Sequence, residues 1–118
     1  MAKAVNLLIQ REQDITFVDF QEARLLDAYQ IESVAQQLYK LVDQMDRKKL
    51  IVDFSKVQLL SSAAIGMILN LHNKSKAIKG KLVLCGMRND IKKIFEIMKL
   101  TKLLKIVSDA NEAKALLT

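Results

Sequence analysis

The 118 residues are 51% hydrophobic and 27% charged with a net charge of +6, which is enough apolar chain for one ordinary domain with a real core and excludes long disordered tracts. A single cysteine, Cys85, and a single histidine, His72, exclude an intramolecular disulfide, a cysteine-cluster metal site and a His-rich zinc site, and the three glycines build neither a dinucleotide fingerprint nor a Walker phosphate loop. The longest apolar stretch, around Ala63–Leu69, is far below the roughly 18 residues of a membrane span, and no signal-peptide core follows Met1–Asn6. These features lead us to expect one domain over residues 1–118, cytoplasmic, with no membrane partner and no cofactor.

Val5, Leu7 and Ile9 alternate with other residues, as does the run from Ile15 through Phe17 to Phe20, so both segments read as strands. The polar turn Arg11–Asp14 makes them an antiparallel pair. The apolar face of Leu7, Ile9 and Phe17 fits either a core or the contact of a weak homodimer. A short extended piece over Ala23–Leu26 is expected next. Asp27 and Gln30 have capping-box spacing, and Ile31, Val34, Leu38, Leu41, Val42 and Met45 give the following helix one apolar face. Leu50–Phe54 reads as a strand buried on both faces, Ser55–Leu60 as a loop. Ser61 or Ser62 caps a helix running to about Lys76, with Ala64, Ile65, Ile68, Leu69 and Leu71 inward. Leu82–Cys85 is another buried strand. A third helix starts near Asn89 or Asp90 with Ile91, Ile94, Phe95 and Met98 inward. A last short strand over Lys105–Val107 precedes a helix that Asp109 and Glu112 cap and that turns Ala113, Leu116 and Leu117 inward. Strand–helix alternation implies parallel strands joined by right-handed crossovers. The fold class is therefore α/β: a mixed, mostly parallel sheet with a leading antiparallel hairpin and about four helices packed on it.

Little in this pattern supports catalysis. His72 falls mid-helix among Asn70, Asn73 and Lys74 and has no nucleophile or orienting group at a readable distance. Cys85 lies in an apolar strand, where a thiol is usually buried and inert. Asp19, Asp27 and Asp53 lie near strand ends, and capping and turn chemistry accounts for Asp27 and Asp53. The five methionines read as core filler. Basic residues are dense over 73–81 and 88–105 but lack the interleaved aromatics of a single-strand binder, so direct nucleic-acid binding is not expected. The most informative segment is Leu59–Gly66, where two serines stand at a helix start. Free N–H groups and the positive dipole end favour an anion there, and a phosphate on Ser62 would bring about −1.5 to −2 charges at pH 7. On physical grounds alone, simple capping is the favoured role of these serines, worth about 1 kcal/mol.

At Leu60-Ser61-Ser62-Ala63-Ala64-Ile65-Gly66 the sequence resembles the STAS domain family, specifically single-domain anti-sigma factor antagonists. Their pattern is an apolar residue, Asp, Ser, Ser or Thr, Gly, an aliphatic residue and Gly. Leu50–Val57, Gly80–Gly86 and Ile91–Leu104 match further family segments in the same order. The resemblance implies a protein that is not itself an enzyme. It would bind an anti-sigma factor that is also a serine kinase of the ATP-binding, histidine-kinase-like type, and so free a sigma factor. Phosphorylation of the acceptor would break the complex and a serine phosphatase would reset it. Carried onto this chain, the acceptor is Ser62, with Ser61 as a competing acceptor. The partner-binding residues are Asp27, Leu60, Ser61, Ser62, Ala63, Ala64, Ile65 and Gly66. Three departures stand out: Ser61 replaces the family Asp, Ala63 the second Ser or Thr, and Ala64 the first Gly. The alternative is a constitutive docking subunit of a transport ATPase or stress-signalling complex, without a phospho-switch.

Overall fold

The computed structural model describes residues 7–118; the expected strand position Val5 lies outside them. β1 (Leu7–Glu12) and β2 (Ile15–Phe20) form an antiparallel hairpin in which Leu7 faces Phe20 and Glu12 faces Ile15. The turn is tighter than the sequence suggests: only Gln13 and Asp14 separate the strands, with Gln13 at φ 57°. β4 (Lys49–Asp53), β6 (Lys81–Cys85) and β7 (Lys105–Val107) add in parallel, giving one five-stranded sheet in the order β1-β2-β4-β6-β7. The interior residues of β4 and β6, Leu50–Val52 and Leu82–Leu84, are all buried. This is the signature of parallel strands covered on both faces.

The helices are α1 (Ala28–Asp43), α2 (Ser62–Ala77), α3 (Asn89–Ile97) and α4 (Ala110–Leu117), with a 3₁₀ turn at Leu100–Lys102. On one face of the sheet Val18, Phe20, Leu50, Val52 and Leu84 share a core with Val34 and Leu38 of α1, Ile68 and Leu71 of α2, and Phe95 of α3. On the other face Ile15, Ile51, Val83, Cys85 and Val107 meet only α4, through Ala113 and Leu117. Burying Leu117 contributes about 2 kcal/mol, and α4 rests on the sheet through two buried side chains where α1 buries six. Asp109 caps α4, accepting from the Glu112 N–H at 2.9 Å, while the Glu112 carboxylate accepts from the Ser108 N–H at 3.3 Å.

Several expectations change. Leu59–Leu60 is not loop but a two-residue strand, β5, paired in parallel with β3 (Arg24–Leu25). Phe17 does not share a face with Leu7 and Ile9. Its antiparallel partner is Gln10, so it turns to the α4 side, while Ile9 lies opposite Val18 on the three-helix side. Ile94 and Met98 are exposed because α3 is only nine residues long and rests on the core through Ile91 and Phe95 alone. Met45 lies beyond the end of α1 and is exposed, so it is no core filler, and the same holds for Met98. Leu116 is exposed where its neighbour Leu117 is buried. Gly86 is required by its surroundings. It has φ +72°, and a Cβ there would come within 2.6 Å of Asp53 Oδ1 and of Ser55 Oγ.

Candidate functional site

The site begins where β3 and β5 pair. Arg24 lies beside Leu59 and Leu25 beside Leu60, and the Ser61 N–H continues the ladder by donating to the Leu25 carbonyl at 3.0 Å. Ser61 still has extended backbone angles, φ −85° and ψ 167°, and the chain enters α2 immediately after it. Its hydroxyl accepts from the Ala64 N–H at 3.2 Å and its carbonyl from the Ile65 N–H at 3.2 Å. Ser61 is therefore the N-cap, the position where a side-chain oxygen is most favourable. Ser62 is the first helical residue. It is exposed, and its hydroxyl makes no hydrogen bond among the described residues.

The two serines thus divide the roles that sequence alone leaves open between them. The rest of the first turn divides by face. Ala63 is exposed beside Ser62, whereas Ala64 and Ile65 are buried in the core. The side chains of Ala64 and Ile65 support the turn from beneath. Leu60 is half-buried on β5, and Gly66 is half-buried with open space where a Cβ would point. A hollow of about 480 Å³ between α1 and α2 is lined by Ala28, Ala35, Ala63, Gly66 and Asn70 among others. The small residues keep it open.

The parallel strand β3 delivers a second helix start at the same end of the molecule. Asp27 caps α1, accepting from the Gln30 N–H at 3.3 Å, and is exposed. The reciprocal bond from the Gln30 side chain is not formed. Around these two helix starts three large apolar side chains face solvent: Leu26 at 43%, Leu59 at 48% and Tyr29 at 86%. Tyr29 is not singled out by any motif in the sequence. Its signal is nonetheless present there, since it lies off the α1 apolar stripe of Ile31, Val34, Leu38 and Leu41.

The electrostatics favour an anion at Ser62. α2 has no acidic residue in its first turn, and the N–H groups of Ser62 and Ala63 have no partner among the described residues. Burial pushes the Cys85 thiol up to about 12, with the charges of Asp53, Asp109 and Asp19 adding to the effect, so no thiolate is at hand near neutral pH. Asp19 and Asp53 stand opposite each other on β2 and β4. Burial, and then the charge of Asp53, raises the Asp19 carboxyl above its ordinary value. Asp53 Oδ1 accepts from the Ser55 N–H at 2.8 Å and from the Ser55 hydroxyl, closing a turn. His72 is half-buried toward the far end of α2. Among the described residues no group of three or more His, Cys, Asp or Glu could hold a metal ion, and no helix is long and apolar enough to cross a membrane.

A hairpin leading an otherwise parallel sheet, with four helices packed on it, is the fold class that the strand–helix alternation predicts. Residues 6–113 match the family model of the STAS domain. The chain belongs to the STAS domain family. Within it, this STAS domain is 24% identical over 84 residues to the Bordetella bronchiseptica protein BtrV, provisionally named an anti-sigma factor antagonist, covering 71% of this chain and 72% of that one. Its fold is shared with an anti-sigma factor antagonist (STAS) domain protein from Planctomyces limnophilus, with a TM-score of 0.85, 18% identity, and 99% and 100% of the two chains covered. It is shared also with the Bacillus cell fate determinant SpoIIAA in its phosphorylated form, with a TM-score of 0.75, 15% identity, and 96% and 100% covered.

Proposed function

We propose that this STAS domain is an anti-sigma factor antagonist that docks on an anti-sigma factor with serine kinase activity, frees a sigma factor, and is released when Ser62 is phosphorylated. The observation that carries the reading is the division between the serines: Ser61 spends its hydroxyl on the helix cap, and Ser62 presents a free hydroxyl beside it. The kinase transfers the γ-phosphoryl of ATP to Ser62 Oγ: the Oγ–P bond forms as the bond from the γ-phosphorus to the β–γ bridging oxygen breaks, ADP leaves, and the hydroxyl proton is released to solvent. The product phosphate stands at an unpartnered helix N-terminus, so the domain itself tolerates the new charge. A partner packed against Leu26, Tyr29, Leu59 and Ala63 does not, because the dianion is then buried against an apolar contact. A hundredfold loss of affinity needs about 2.7 kcal/mol, which one such charge supplies. A serine phosphatase restores the docking form.

Ser61 in place of an aspartate leaves no carboxylate immediately beside the acceptor. Recognition by the kinase therefore rests on the apolar rim and on the exposed Asp27 at the neighbouring helix start. The test is capture from the native cells with three tagged baits. Wild type and Ser62→Ala should retain a small kinase with an ATP-binding domain of the histidine-kinase type, and Ser62→Asp should lose it. Equal retention by all three baits, or capture of a transporter ATPase instead, overturns the proposal.

A further inference from the structure

A second hollow lies at the opposite end of α2, about 20 Å along the helix from Ser62 at 1.5 Å per residue. It exists because β6 outruns its neighbour. Pairing between them begins at Val83 and Lys105, so Lys81 and Leu82 have no β7 partner on that side. α4 closes the gap from below, leaving a cavity of about 350 Å³, within the range of small-ligand sites.

Its walls are apolar: Leu82, Val83, Leu103, Leu116 and Leu117. Its rim is cationic, with Lys76, Lys81 and Lys105 beside the imidazole of His72 and no acidic side chain among the lining residues. None of the three lysines is in an ion pair among the described residues. The C-terminal carbonyls of α2 do not engage the rim either. Those of Ser75 and Lys76 are taken by the N–H groups of Ile78, Gly80 and Lys79. Ser75 lines the same hollow. It is 1% exposed, and its hydroxyl has no hydrogen-bond partner among the described residues. A buried hydroxyl without a partner is costly to the fold unless something completes it.

We infer that this cavity binds a single-chain amphiphilic anion, its acyl chain against the leucines and its carboxylate or phosphate head among Lys76, Lys81 and Lys105. Leu103 and Leu116, both substantially exposed, are the side chains such a chain covers.

The test is a titration of the intact chain with decanoate and with decyl phosphate, followed by backbone amide shifts in NMR. Decanol and decyltrimethylammonium are the neutral and cationic controls. Saturable binding of either anion is expected, with shifts clustered at Leu82, Leu103 and Leu116, and the stronger anion identifies the head group. Both controls should bind at least about tenfold more weakly, as should the anions on the double variant Lys81→Glu/Lys105→Glu. Equal binding of either control, shifts centred on Ser62 and the α1–α2 groove, or no saturation below micelle formation overturns the inference. The controls are measured on the wild-type chain, so the result does not depend on the variant folding.

Discussion

Helices α1 and α2 start side by side from two strands that pair with each other, yet they open differently. α1 is capped by the carboxylate of Asp27, which already answers the partial positive charge of its N-terminus. α2 is capped by the neutral Ser61, has no acidic residue in its first turn, and follows its cap with an exposed serine. Two similar helix starts therefore differ in what they can accept: a dianion is repelled at the first and welcomed at the second. The first turn of α2 is divided again, between the buried Ala64 and Ile65 and the exposed Ser62 and Ala63. One side holds the turn in place, and the other is free to change chemically without unfolding it.

The largest effect should come from breaking the buried side. Ile65→Ala removes a side chain that is 5% exposed in the main core, and we expect a loss of about 3 kcal/mol in urea unfolding. On the exposed side, Ser62→Asp should lower partner affinity about a hundredfold, or about 2.7 kcal/mol. Its unfolding free energy should stay within about 0.5 kcal/mol of wild type. If Ser62→Asp destabilises the fold as much as Ile65→Ala does, the division between the two sides is wrong. Next come the caps. Ser61→Ala should cost about 1 kcal/mol. Ser61→Asp should stabilise by about 0.5 kcal/mol, because it gives α2 the charge that α1 already has. That substitution also places a carboxylate beside Ser62, so it tests whether the acceptor site tolerates the family's usual neighbour.

These contrasts are legible in the sequence to different depths. The caps Asp27 and Asp109, the buried runs of β4 and β6, and the short β7 follow from local spacing and composition, so they can be read residue by residue. β5 cannot. Leu59 and Leu60 carry no strand pattern of their own and are extended only because β3 lies alongside. The choice between Ser61 and Ser62 as cap turns on where β5 ends, which is the same non-local fact. The two faces of the hairpin follow from its register: a turn of two or of four residues sets odd positions opposite even ones, so Phe17 pairs with Gln10 and cannot share a face with Leu7 and Ile9. The outward side of α3 escapes a sequence reading because Ile94 and Met98 have helical spacing but no sheet beneath them. The cavity beside β6 arises from a difference in strand lengths, which becomes visible only once the strands are paired.

The smallest expected effect lies on the opposite sheet face, at Asp19. Its carboxyl is raised by burial first and by Asp53 second. A carboxyl raised in the folded state weakens the fold above its folded pKa, and the penalty is relieved as pH falls through that value toward the unfolded one. Asp19→Asn should therefore melt slightly higher than wild type at pH 7, and the difference should shrink as the pH is lowered through the carboxylate range. Thermal scans at several pH values check this, and a difference that grows on acidification contradicts it.

The central claim is that the exposed serine, not the capping one, carries the switch. Its most direct test is the intact mass of the protein isolated from its native cells under growth and stress conditions, with any phosphate located by peptide fragmentation. The account predicts one phosphate, on Ser62, whose occupancy changes with condition. Phosphate on Ser61, or an unmodified chain in every condition, would contradict it and leave Ser62 as an ordinary first residue of a helix.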